Sequence, residues 1–230
     1  VYIHGGAFAI GDKGHDQTGP YFLGMDCGYA VVAMNYRLSG EAIFPAAVED
    51  VKAAIRWLRA HGNEYQLDVD CVVTGGQSAG GNLAAMAGVT SGLNLFDNPA
   101  LGNSQCSSDV QAVIDQFGPT DFLQMDDQLV ASGLGPANHS EAVSPESRYV
   151  GGRVTDMAEA ARRANPMTYV HEKMPPIFIQ HGTADDQVPV QQSIEFARVI
   201  EEKVGPERYE LQLLNGGGHS PPGFWTQENM

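Results

Sequence analysis

The sequence predicts an α/β protein: a mostly parallel, doubly wound sheet with helices on both faces. Two observations carry this expectation. Short apolar, β-branched runs alternate along the chain with segments of helical periodicity, and glycine or polar residues break the chain after each run. The composition agrees: 230 residues, 43% hydrophobic and 18% charged, suit one domain spanning residues 1–230 with ample core.

Val1-Tyr2-Ile3 is the first apolar run and breaks at His4-Gly5-Gly6. Residues 16–27 read as a short helix, and Tyr29 to Asn35 as a second, buried strand. Over residues 45–61, Val48, Val51, Ile55 and Leu58 recur at helical spacing, with Glu49, Asp50, Lys52, Arg56 and Arg59 elsewhere around the turn, so an amphipathic helix should lie on the sheet. Asp70 to Thr74 reads as a buried strand, and Gly81 to Ala87 as a small-residue helix able to approach a sheet closely. Val110 to Phe117, Pro176 to Gln180 and Tyr209 to Leu214 are three further strands. Helix Val190 to Val204 separates the last two, with Ile194, Ala197 and Ile200 inward. Parallel strands joined this way need right-handed crossovers. Residues 119–168 interrupt the rhythm with Pro, Gly, Ser and charge, and a connection of that length reads as cap or substrate-pocket material.

The net charge of -15, from 28 acidic and 13 basic residues, argues against nucleic acid or other polyanions as partners. No stretch approaches the 18 or more apolar residues of a membrane-spanning helix, so no membrane partner is expected. Cys27, Cys71 and Cys106 lack C-x-x-C spacing and indicate neither a disulfide framework nor a zinc site; Cys71 reads as a small buried hydrophobe, and pairing of Cys27 with Cys106 stays open. No metal or cofactor is called for.

The chemistry-bearing motif is Gly76-Gln77-Ser78-Ala79-Gly80. A strand that turns sharply into a helix exposes its apical side chain only if small residues flank it, and Gly76 and Gly80 meet that demand around Ser78. A serine hydroxyl is a weak nucleophile and needs a base, itself oriented by a third group. Of seven histidines, His219 is the best base, because the loop Asn215-Gly216-Gly217-Gly218-His219 follows the last strand and can reach the sheet's carboxyl edge. His181, at a strand end before Gly182, reads as a residue that shapes its turn; His15, His61, His139 and His171 read as surface residues. A tetrahedral intermediate needs preorganised N–H donors. Ala79 follows the nucleophile and supplies one; Gly6 and Ala7, on the loop after the first strand, supply the others, with His4 bracing that loop.

On these residues the chain resembles the α/β-hydrolase family, specifically the esterases with an HGG oxyanion motif that are similar to hormone-sensitive lipases and to bacterial feruloyl and acetyl esterases. The carriers are His4-Gly5-Gly6-Ala7-Phe8, Asn35-Tyr36-Arg37-Leu38, Gly76-Gln77-Ser78-Ala79-Gly80-Gly81-Asn82, Phe117-Gly118-Pro119-Thr120-Asp121, His181-Gly182-Thr183-Ala184-Asp185-Asp186-Gln187-Val188-Pro189 and Gly218-His219. Many relatives carry a third glycine where this chain has Ala7. The resemblance implies an α/β-hydrolase fold and makes Asp185 the acid, with its neighbour Asp186 still open. It also implies strands before Val1 and a closing helix after His219, so that the chain is expected to be part of a longer protein with Tyr29 to Asn35 at a sheet edge.

Residues and resemblance together imply a cofactor-independent carboxylic ester hydrolase with Ser78, His219 and Asp185 as its triad. The expected partner is a small-molecule or polysaccharide-linked ester, short-chain acyl, acetyl or feruloyl. The alternatives are a serine peptidase or amidase of the prolyl-oligopeptidase type, and a hydrolase-like binding module without catalysis.

Overall fold

Six strands form one all-parallel sheet in the computed structural model, which describes residues 1–14, 16–220 and 224. The strands are β1 (Tyr2–Ile3), β2 (Ala33–Met34), β3 (Val73–Gln77), β4 (Ala112–Gln116), β5 (Ile177–Gly182) and β6 (Tyr209–Leu214), in the spatial order β2-β1-β3-β4-β5-β6. Each joined pair is parallel, with Gly76 opposite Asp115 and Asp115 opposite Ile179. The order reverses at β1, where the chain first runs outward to β2 and then returns to build toward β6.

Helix α1 (Ala46–Tyr65) packs on α2 (Ala79–Val89), and α2 lies directly on β1, β3 and β4. Every residue of α2 is buried, as a helix sandwiched between a sheet and a second helix requires. Its glycines allow the approach: a Cβ at Gly88 would strike the Val113 side chain. α6 (Gln191–Val204) covers β5 and β6 on the same side, where Ile177, Ile179, Phe196 and Ile200 meet. On the opposite side a 3-10 helix, Asp16–Cys27, lays Tyr21 over Gly75 and 4.5 Å from the Tyr2 ring. Beyond it, Ile114, Phe178, Gln116 and Gln180 line an open groove of about 1220 Å³. There the Tyr21 hydroxyl donates to Gln116 Oε1 (2.8 Å), and Gln116 Nε2 donates to Gln180 Oε1 (2.6 Å).

Residues 119–168 hold α3 (Met125–Ser132), α4 (Pro145–Val150) and α5 (Ala158–Arg163). The Ser144 hydroxyl accepts from the Ser147 N–H and Pro145 opens α4, a standard start for a short helix. Phe122, Met125, Tyr149, Val154 and Ala161 enter the same core as Ile3 and Leu83, so this segment is built into the domain rather than laid over it. Asn82 fixes it from α2, donating to the carbonyls of Pro119 (2.9 Å) and Ala164 (3.2 Å).

Several expectations are corrected. The second strand is not a buried run from Tyr29 to Asn35: only Ala33 and Met34 pair, at the sheet edge, and Tyr29 is 54% exposed. β3 begins at Val73, so Cys71 lies before it and is exposed rather than buried; all three cysteines are free. In α6 the inward stripe is Ser193, Phe196, Ala197 and Ile200, which turns Ile194 toward solvent. Lys52 and Arg56 are buried against Asp97, at 3.0 and 2.9 Å. His139 is not a surface residue, since its ring lies 3.0 Å from the Glu146 carboxylate and is 13% exposed. His61 and His171 are half-buried, and His15 falls outside the described residues. Among the described residues, no helix is long and apolar enough to cross a membrane.

Candidate active site

Ser78 sits at the turn from β3 into α2 with φ 53° and ψ -122°. A non-glycine residue held there costs about 1–3 kcal/mol and persists only where its surroundings over-determine it. Here they do. A Cβ at Gly76 would collide with the Gly80 carbonyl, and one at Gly80 with the Ile3 carbonyl, so the strand, the turn and β1 meet backbone to backbone. The Ser78 N–H donates to the Gln116 carbonyl (2.9 Å), tying the turn to β4.

The loop after β1 also turns through positive φ, at 107° for Gly6, which glycine adopts freely, and at 54° and 58° for Ala7 and Phe8, where a side chain is disfavoured. The Gly6 carbonyl accepts from the N–H groups of Ala9 (2.9 Å) and Ile10 (3.0 Å) and closes a tight turn. His4 is buried and stacks on Tyr36 at 4.3 Å, its Nδ1 donates to the Gly5 carbonyl (2.7 Å), and the Tyr36 hydroxyl donates to the His4 carbonyl (3.1 Å). Among the described residues no hydrogen bond consumes the N–H of Gly6, Ala7 or Ala79. The last of these opens α2, where an N–H has no partner within its own helix.

On the other side of β4, Asp185 is fully buried and its carboxylate is saturated. Oδ1 accepts from the N–H groups of Gln187 and Val188, each at 2.9 Å; Oδ2 accepts from His219 Nδ1 at 2.7 Å and lies 3.2 Å from His181 Nε2. Burial works against the charge, but the hydrogen bonds from His181 and His219 outweigh it and hold the carboxyl well below the ordinary range. Asp186 is exposed. The loop carrying His219 is pinned to the Asp185 loop by Ala184 N–H to the Gly217 carbonyl (2.8 Å) and Gly216 N–H to Thr183 Oγ1 (2.8 Å).

Phe117 joins the two halves. Its φ is 45°, its N–H donates to the Gln180 carbonyl (2.7 Å), and its ring meets the His219 ring edge-on at 4.8 Å. The structure thus brings Asp185 and His219 together. It does not close the remaining link, for no hydrogen bond joins Ser78 Oγ to His219 among the described residues.

Two residues at this site escape a reading of the sequence. Asp115, fully buried on β4, has Oδ1 accepting from the Gly118 N–H (3.0 Å) and Oδ2 without a partner, and burial pushes it up to about 6. A carboxylate inside an apolar strand is the available signal. The second is His181, whose contact with Asp185 no local pattern announces. Among the described residues, no group of three or more His, Cys, Asp or Glu side chains is arranged to hold a metal ion.

A parallel sheet of this order, a strained serine turn between its third strand and the following helix, and an aspartate–histidine pair on later loops define a protein of the α/β-hydrolase class. Within that class the chain belongs to the BD-FAE family, whose model matches residues 1–200. It is 32% identical over 192 residues to the probable carboxylic ester hydrolase LipM of Mycobacterium tuberculosis, covering 83% of this chain and 42% of that protein. The chain therefore spans about half the length, or somewhat less, of the curated relatives it matches first. A truncated carbohydrate esterase from gut microbiota superposes with a TM-score of 0.82 at 30% identity, covering 99% of this chain and 80% of that one. A bifunctional GH43-CE protein of Bacteroides eggerthii gives a TM-score of 0.86 at 33% identity, covering 99% and 29%.

Proposed function

We propose that the chain carries the catalytic domain of a carboxylic ester hydrolase that removes short acyl groups from carbohydrate. The observation that carries this reading is the saturated Asp185 carboxylate bound at 2.7 Å to His219, at the carboxyl end of the sheet where the half-buried Ser78 stands on its turn. Substrate binding brings His219 Nε2 within reach of Ser78 Oγ, a contact that commonly tightens only in the complex. Ser78 Oγ attacks the ester carbonyl carbon as His219 takes its proton, and Asp185 stabilises the imidazolium. The negative oxygen of the tetrahedral intermediate is received by the N–H groups of Gly6, Ala7 and Ala79. The carbon–alkoxy bond breaks, His219 hands its proton to the departing alcohol, and water activated by the same imidazole releases the acid and frees Ser78.

Likeness to the gut-microbiota protein, a carbohydrate esterase, supports the carbohydrate part of this reading. Residues 119–168 shape the pocket for that substrate, since their helices share the core beneath the site.

The test is intact mass after treatment with a fluorophosphonate, beside turnover of p-nitrophenyl acetate and of a proline anilide. One adduct, absent in Ser78→Ala, with the acetate ester cleaved far faster than the anilide, is the expected result. Dominant anilide cleavage would make the protein a peptidase or amidase. A folded chain that forms no adduct would leave a binding module.

A further inference from the structure

Resting on the reading of Asp185 and His219 as acid and base, we infer that His181 is a positioning residue of the same site: its imidazole shares Asp185 Oδ2 with His219 and thereby sets how strongly that carboxylate holds the His219 proton.

His181 is fully buried at the end of β5. Its Nε2 lies 2.9 Å from the Val188 carbonyl and 3.2 Å from Asp185 Oδ2. Both oxygens only accept, so Nε2 carries the hydrogen and forks between them. The other nitrogen, Nδ1, is 2.6 Å from the hydroxyl of Ser193, itself fully buried on α6. The network therefore assigns the tautomer, with Ser193 donating to Nδ1. A residue that only shaped the turn would need one donor for the Val188 carbonyl. The second contact of that hydrogen with Oδ2, and a hydroxyl on a neighbouring helix that fixes the ring's other nitrogen, are left over by such a role.

The consequence is a divided carboxylate. Oδ2 receives two imidazole N–H groups, and each lowers the negative charge available to the other. The charged groups facing His181 are Asp185 on its own loop and Asp115 from β4, with His219 reached through Asp185; α6 presents the neutral Ser193, and the Phe117 ring stands 6.5 Å away. Removing the His181 N–H leaves His219 with the whole of Oδ2, so its imidazolium is stabilised more and loses its proton at higher pH. The same change loosens the carboxylate and slows turnover.

The experiment is the pH profile of kcat/KM for p-nitrophenyl acetate. In His181→Leu the acid limb should move up by about half to one pH unit, with kcat down about 10-fold and KM nearly unchanged. His181→Gln, which returns an amide N–H close to the position of Nε2, should bring the limb most of the way back. Ser193→Ala keeps the packing and frees the tautomer; it should shift the limb in the same direction by less, and it decides the matter alone if the His181 variants do not fold. An acid limb that stays in place, or moves down, in folded His181→Leu and Ser193→Ala overturns the inference. Asp185→Asn is run in parallel. If that variant keeps near parental turnover, the underlying acid–base reading fails; if it is inactive while the others retain the parental limb, only the role of His181 fails.

Discussion

The two halves of the site are held in place by different physics. On the β1–β3 side, Ser78, Ala7 and Phe8 keep left-handed backbone that a side chain disfavours, and they keep it because packed backbone around them leaves no alternative. On the β5–β6 side backbone also packs closely, for a Cβ at Gly182 would strike the Gly217 carbonyl, but Asp185 itself keeps no left-handed backbone. Four donors converge on its carboxylate and fix it by hydrogen bonding instead. The difference teaches where damage should appear. Changes on the strained side should cost folding and activity together, whereas changes on the hydrogen-bonded side should cost activity first.

The sharpest way to break that comparison is to exchange neighbouring carboxylates. Asp185→Asn keeps the shape but cannot accept from four donors or stabilise an imidazolium, and kcat/KM should fall about 10⁴-fold. Asp186→Asn, at an exposed position, should stay within about twofold. Ester turnover of the two purified variants measures both, and a larger loss at Asp186 would remove the acid from the buried network.

A smaller effect is expected on the strained side. Gly6→Ala would place a Cβ against the Ile10 carbonyl at φ 107°, and the loop must move to accept it. Losing one oxyanion donor costs about 10²–10³ in kcat, and the melting temperature should fall as well. Ala7→Gly, at φ 54°, relieves strain and should leave the melting temperature level or higher. If Gly6→Ala lowered kcat without touching the melting temperature, strain and function would be separable here and the contrast would be wrong.

This division also explains what is legible in the sequence. β4, β5 and β6 announce themselves as apolar runs, α1 and α6 because apolar side chains recur at helical period, and α2 through its run of small residues. The end of β3 does not, because Gly75-Gly76-Gln77 carries no apolar signal and is a strand only through its ladders with β1 and β4. The edge strand is overread for the opposite reason: Tyr29 to Val31 has the composition of a strand but no ladder partner among the described residues. Ser78 is legible through its flanking glycines, since sterics are written locally. The choice of Asp185 over Asp186 is not, since adjacent identical residues differ only in which one the fold buries. His181 with Ser193, and the three helices of residues 119–168, depend on contacts between distant segments in the same way.

Asp115 lies on β4, between the two halves, and offers the finest test. Its carboxyl is pushed up from 3.8 to about 6 by burial, so the protonated form is the one the fold prefers. A group raised in this way stabilises the fold fully below its unfolded value near pH 4, and that contribution is lost as the pH rises through 6, by up to about 3 kcal/mol. Asp185 runs the other way. Its depressed carboxyl stabilises the fold above about pH 4, and the contribution is lost only as the solution becomes more acid. Urea unfolding from pH 4 to 8 should therefore show a decline in stability between about pH 4 and 6 that Asp115→Asn flattens and Asp185→Asn leaves in place. Because Asp115 Oδ2 has no partner, an amide there forfeits no hydrogen bond, and the variant should be at least as stable as the parent at pH 8. An unchanged slope in Asp115→Asn would mean that this carboxylate is ionised and solvated in the folded protein, and that the core between the halves is wetter than its packing implies.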